Sequence, residues 1–129
     1  MTDLVTPLKN AMVARLSGSV GAPVFDHVPD GQLPPVVIVD QIATDDEGDK
    51  DGAIWRATVS LQVVAQGRSR NAFRAIMADV RTRLHQWQPA AADGVLFGTC
   101  LVLSSGEQTL GDGLTHLGDV QTQLFVQPA

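Results

Sequence analysis

Three histidines, one cysteine and a pair of adjacent serines are the groups in this 129-residue chain whose types could carry covalent chemistry. The stretch VFDHVPDGQLPPVVIVD sets Asp26 beside His27, and GDGLTH places Asp112 shortly before His116. A carboxylate that orients an imidazole, with Ser104, Ser105 or Cys100 as nucleophile, is the arrangement of an acyl-transfer site. On that pattern Asp26, His27 and His116 would be the working groups of a small hydrolase, provided that folding gathers them in one pocket. The spacing gives little support. No G-x-S-x-G elbow is present, and Cys100 lies inside the apolar run VLFGTCLVL, where a thiol stays protonated and inert. His85 falls near the end of a predicted helix, where the helix dipole favours an imidazolium. No residue is assigned a catalytic role.

Metal and cofactor chemistry fares no better. Read from Glu47, the pattern Glu-x-Asp-x-Asp-Gly resembles the start of a calcium loop, but Thr58 stands where a bidentate glutamate is required, and a strand follows in place of a helix. GDG and GRSR lack the spacing of a phosphate cradle. A single cysteine excludes both an internal disulfide framework and a thiolate metal cluster. The expectation is no metal and no cofactor.

The charge pattern is more informative. A net charge of −5 argues against general nucleic-acid binding, which needs clustered Lys and Arg. Locally the signs separate. Asp45, Asp46, Glu47, Asp49 and Asp51 crowd one segment, diluted only by Lys50. Arg68, Arg70, Arg74, Arg81 and Arg83 crowd another, opposed only by Asp79. Either cluster alone is an ordinary solvated surface; the two together invite a head-to-tail contact between copies. Asp45, Asp46, Glu47, Asp49, Asp51, Arg68, Arg70 and Arg74 are therefore the candidate residues of a subunit or lumen interface.

The elements that would position these groups follow from hydrophobic periodicity. Apolar residues make up 44% of the chain and charged residues 18%, an ordinary globular balance for one domain over 1–129. In DLVTPLKNAMVARLSG, Leu4, Leu8, Met12 and Leu16 form one helical stripe, with Thr6 as N-cap and Gly18 as stop. VGAPVFDHV is a short strand closed by the Pro29-Asp30-Gly31 turn, and VVIVDQIA a buried one. AIWRATVSLQVVAQ alternates strictly: Trp55, Ala57, Val59, Leu61, Val63 and Ala65 face a core. Its other face is uncharged except for Arg56, which suits solvent or a partner sheet. Phe73, Ile76, Met77, Val80, Leu84 and Trp87 predict a long helix from Ser69 to Pro89. VLFGTCLVLSS and GLTHLGDVQTQLFVQ read as strands joined by a hairpin loop, GEQTLGDG, and in the last of them Phe125 breaks the alternation. The order is α-β-β-β-α-β-β: an α+β domain with a mainly antiparallel sheet of four to five strands and both helices on one face. No run reaches the ~18 apolar residues of a membrane span, and the N-terminal segment has no signal-like character, so a soluble, cytosolic protein without membrane contact is expected.

Taken in sequence, these pieces resemble the small tail-completion or tail-terminator proteins of long-tailed phages, prophages and gene-transfer agents. The resemblance runs from about Leu4 to Val126. It rests most on Val24-Phe25-Asp26-His27 with its Pro-rich sequel, and on Asp-Gly-x-Thr-His-x-Gly from Asp112 to Gly118. Family members often carry an aromatic after the proline that opens the second strand; here Pro35 is followed by Val36. The resemblance implies a non-enzymatic virion protein, made in the host cytoplasm and built into the tail or neck. It implies a homo-oligomeric ring, usually of six subunits, that caps the tail tube protein and presents a surface to the head-completion or connector protein, with DNA passing through unrecognised. A head–tail connector or a minor tail protein is the alternative within this class. A peptide-binding module using an exposed sheet edge is a rival from another.

Overall fold

The computed structural model describes residues 3–48 and 52–128. Its elements are α1 (Val5–Leu16), β1 (Val24–Phe25), β2 (Val36–Asp46), β3 (Trp55–Gln66), α2 (Asn71–Leu84), β4 (Val95–Phe97), β5 (Leu101–Thr109) and β6 (Thr115–Pro128). The strands form one sheet in the order β1-β2-β3-β6-β4, and β5 lies beside β4 along the same flank of β6. Every pairing is antiparallel except that of β1 with β2. Both helices pack on one face, so the fold is α+β as its periodicity predicts.

The run VLFGTCLVLSS divides into two strands, which raises the strand count to six. The division has a backbone cause. At Cys100 the chain leaves β6 and exchanges hydrogen bonds with the segment after α2: Gln86 N–H donates to Cys100 O (2.7 Å), and Cys100 N–H donates to Trp87 O (2.6 Å). The same contact ends α2 at Leu84, short of Pro89. Gln86 takes a positive φ of 62° and turns Trp87 off the helix and back against the core. Burial lifts the Cys100 thiol pKa to about 11, in line with its expected inertness.

The core is made by α1 through Leu8, Met12 and Leu16, by α2 through Phe73, Ile76, Met77, Val80 and Leu84, and by the inward residues of the sheet. β3 contributes Ala57, Val59, Leu61, Val63 and Ala65, as its period-two pattern requires. In β2 the register slips between Val39 and Gln41, leaving Asp40 as an extra residue. Val37 and Val39 face the helices before this bulge, and Ile42 and Thr44 after it, so one inserted residue reverses the phase of the strand. A second slip at Leu103 does the same in β5. The N-terminus of α1 is capped by Asp3, not Thr6: its carboxylate accepts from Val5 N–H (3.0 Å) and Thr6 N–H (3.1 Å). Arg15 ties the helices together, with Nε–H donating to Arg83 O (3.0 Å) and the guanidinium 5.5 Å above the Trp87 ring.

Candidate interaction surface

The groups of the hydrolase pattern do not meet. Asp26 holds Lys9 of α1 in an ion pair of 3.1 Å, which binds the β1 corner to the first helix and keeps the Asp26 carboxyl below its ordinary pKa. His27, next to it, is exposed. His116 lies on β6, separated from β1 by β2 and β3, roughly 14 Å away at about 4.8 Å per strand. It is buried and fully satisfied. Nε2–H donates to Gly67 O (2.8 Å), which leaves Nδ1 to accept from the Thr109 hydroxyl (2.9 Å), and the ring lies 5.7 Å from that of Phe73. His85 is likewise structural: its Nδ1 accepts from Val102 N–H (3.2 Å), so the ring works as an acceptor. Among the described residues no cluster of His, Cys, Asp and Glu could hold a metal ion. No helix among them is long and apolar enough to cross a membrane.

The Asp112–Gly118 run has one architectural task. Asp112 Oδ1 accepts from Leu114 N–H and Thr115 N–H, both at 2.9 Å, and Oδ2 accepts from the Thr115 hydroxyl at 2.7 Å. These bonds, the Leu114 amide first, lower the Asp112 pKa. Gly113 takes the left-handed turn (φ 71°), and His116 locks the turn to the end of β3. Gly118 sits under α2, where an added Cβ would lie 2.9 Å from both Met77 Cε and Phe73 Cζ.

β3 runs the length of the sheet and separates two ends of different chemistry, roughly 35 Å apart at about 3.3 Å per residue. At the Trp55 end, Asp45 and Asp46 close β2 and Glu47 follows. Arg56 reaches two of these three carboxylates, Glu47 at 3.1 Å and Asp45 at 3.6 Å. Asp49 and Asp51 lie outside the described residues. Beside the acids runs an apolar groove of 560 Å³, lined by Glu47, Ile54, Leu96, Phe97, Gly98 and Phe125 with the end of β6. Phe125 is 47% exposed and Leu96 and Ile54 38% each, unusual for large apolar side chains standing together.

At the Gln66 end stand the β3–α2 connection, with Arg68 and Arg70, and the β5–β6 turn, with Leu110 and Leu114. Gly67 N–H donates to Leu114 O (2.9 Å) and joins the two. Arg68 and Arg70 are exposed, with no carboxylate in ion-pair range among the described residues. Arg74 differs from them. It forms a two-pronged contact with Glu107 on β5, Nη2 at 2.7 Å and Nε at 3.1 Å, and this pair lowers the Glu107 pKa. Arg81 similarly donates to the Ser105 hydroxyl (3.2 Å). Arg74 and Arg81 thus hold α2 on β5, a role hidden in the sequence because Glu107 falls in a stretch that reads as loop.

Between the two ends, the sheet face away from the helices is covered by no element among the described residues. Its central residues are polar and, apart from Asp119 opposite Gln62, uncharged: Thr58, Ser60 and Gln62 on β3, Gln121 and Gln123 on β6, with Ser60 donating to Gln121 Oε1 at 2.7 Å.

The model of one protein family, the Tail completion protein gp17 family, matches residues 7–127. The chain belongs to this family. It is a phage tail structural protein, and the motifs that carried the resemblance are those whose side chains build its turns and corners. A solved structure with the same fold is a chain of the virion of a native gene transfer agent particle, at 20% identity and a TM-score of 0.80, covering 93% of this chain and 94% of that one. Comparison with curated proteins gives no match. In this tail-completion protein the exposed apolar groups at each end are what periodicity alone missed; the one signal was Phe125, whose phase set it on the outer face of an otherwise alternating strand.

Proposed function

We propose that this protein is a tail terminator: several copies, six in the family's usual arrangement, close into a ring that caps the tail tube and offers a surface to the head connector. It acts through shape and interface, and no covalent bond is made or broken. The observation that carries this reading is the separation of unlike surfaces: acids with an apolar groove at one end of the sheet, and at the other exposed leucines beside arginines that meet no carboxylate among the described residues. A subunit with two different ends associates head to tail, and such contacts form a ring when the rotation closes. Asp45, Asp46 and Glu47 with Arg68 and Arg70 are the groups set to steer that register; the described end of the acidic segment carries more carboxylate than Arg56 neutralises. Exposed pairs contribute only about 0–1 kcal/mol each, so they orient copies more than they hold them.

Electron microscopy of particles made without the protein tests the reading. Tails of uncontrolled length with heads unattached are expected. Tails of normal length that merely lack heads would assign the protein to the connector instead, and normal joined particles would remove it from both roles.

A further inference from the structure

Resting on the tail-terminator reading, we infer that the β5–β6 turn of one copy seats in the apolar groove of the next, with Leu110 and Leu114 against Leu96 and Phe125. Three observations lead there. The groove and the turn lie at opposite ends of β3, so no copy can fill its own groove. Each is apolar and exposed: Leu114 is 46% and Leu110 40% accessible, matching Phe125 and Leu96 across the proposed contact. The charges beside them are opposite in the main, since the turn's one carboxylate, Asp112, is already engaged by the Leu114 and Thr115 amides. Glu47 lines the groove wall, while Arg68 and Arg70 flank the turn through the Gly67–Leu114 hydrogen bond. A second copy docked in this way brings carboxylate to guanidinium as leucine meets phenylalanine, whereas two grooves or two turns brought together would oppose like charges.

The turn is also built to be presented. Asp112 satisfies its amides from within and His116 fixes its base to Gly67, so Leu110 and Leu114 stand on a preformed tip with little left to order on binding. The groove of 560 Å³ admits the two leucine side chains of such a tip. This contact is an anchor, and the flanks of the subunits supply the remaining area that a stable interface needs.

Cysteine cross-linking in assembled tails tests the contact, since the native Cys100 is buried and inert. A Leu96→Cys/Leu114→Cys double variant under mild oxidation should give a ladder of covalent oligomers on a non-reducing gel, while either single variant gives none. Rings on the tail ends with no ladder overturn this inference and leave the proposed function standing; tail ends without rings overturn the function itself. As a second measurement, Phe125→Asp should retain the circular dichroism and melting of the unaltered subunit while its assembly needs about tenfold more protein. Undiminished assembly of that variant also overturns the contact.

Discussion

The two ends of the sheet handle polar groups in opposite ways. At the Gln66 end, Asp112 accepts three hydrogen bonds and His116 makes two, all within the subunit, and His116 is buried. At the Trp55 end, Asp45, Asp46 and Glu47 are exposed and two of them share one arginine. The first arrangement fixes a shape, because a buried polar group that loses its partner is expensive. The second fixes little in the monomer and leaves charge available to another molecule. Polar residues in one small protein therefore do two jobs, and the number of partners each finds within the subunit tells them apart.

The contrast can be tested by substitution. His116→Ala should destabilise the subunit most, by about 2–4 kcal/mol, because it opens a cavity beside Phe73 and orphans Gly67 O. Chemical denaturation measures this, and a loss below about 1 kcal/mol would mean that the turn is not anchored through the imidazole. A smaller, pH-dependent effect is expected at Asp112. Its folded pKa lies below the ordinary 3.8, so its stabilisation is fully present above that value and fades as the pH falls through the lower, folded one. Asp112→Asn should lower the melting temperature at neutral pH and narrow the gap to the unaltered protein in acid; an equal gap at both pH values contradicts the assignment. At the acidic end, Arg56→Gln should change monomer stability by no more than about 1 kcal/mol. Its effect belongs in the salt dependence of assembly, and a large loss of monomer stability would erase the distinction between the ends.

How much of this was legible beforehand depended on whether a feature is local. Alternation in β3 and β6 and the stripes of α1 and of α2 as far as Leu84 are properties of one segment, and they appear as read. The bulges at Asp40 and Leu103 are not, since a one-residue slip exists only relative to a partner strand. The early end of α2 and the break between β4 and β5 have one cause, the hydrogen bonds between Cys100 and the 86–87 segment, and no window on the sequence contains both sides of it. The site divides in the same manner. Clustered acids and arginines are visible in composition, but Arg74 is drawn into an internal pair, and the groove needs Ile54, Leu96 and Phe125 from three distant segments. Asp26-His27 and the Asp112–Gly118 run invited chemistry because catalytic and architectural carboxylate–imidazole sequences use the same letters. Only placement separates them.

β1 is two residues long and pairs β2 at Val37 and Ile38, so the margin of β2 from Asp40 onward carries main-chain amides and carbonyls that no strand among the described residues answers. Such a margin would ordinarily recruit its own kind and grow into fibres. Asp40, Asp45 and Asp46 stand along it, and the Asp40 bulge bends it out of true. Two identical margins approaching each other therefore bring negative rows face to face. That approach is disfavoured, so this margin is guarded against pairing with its own kind.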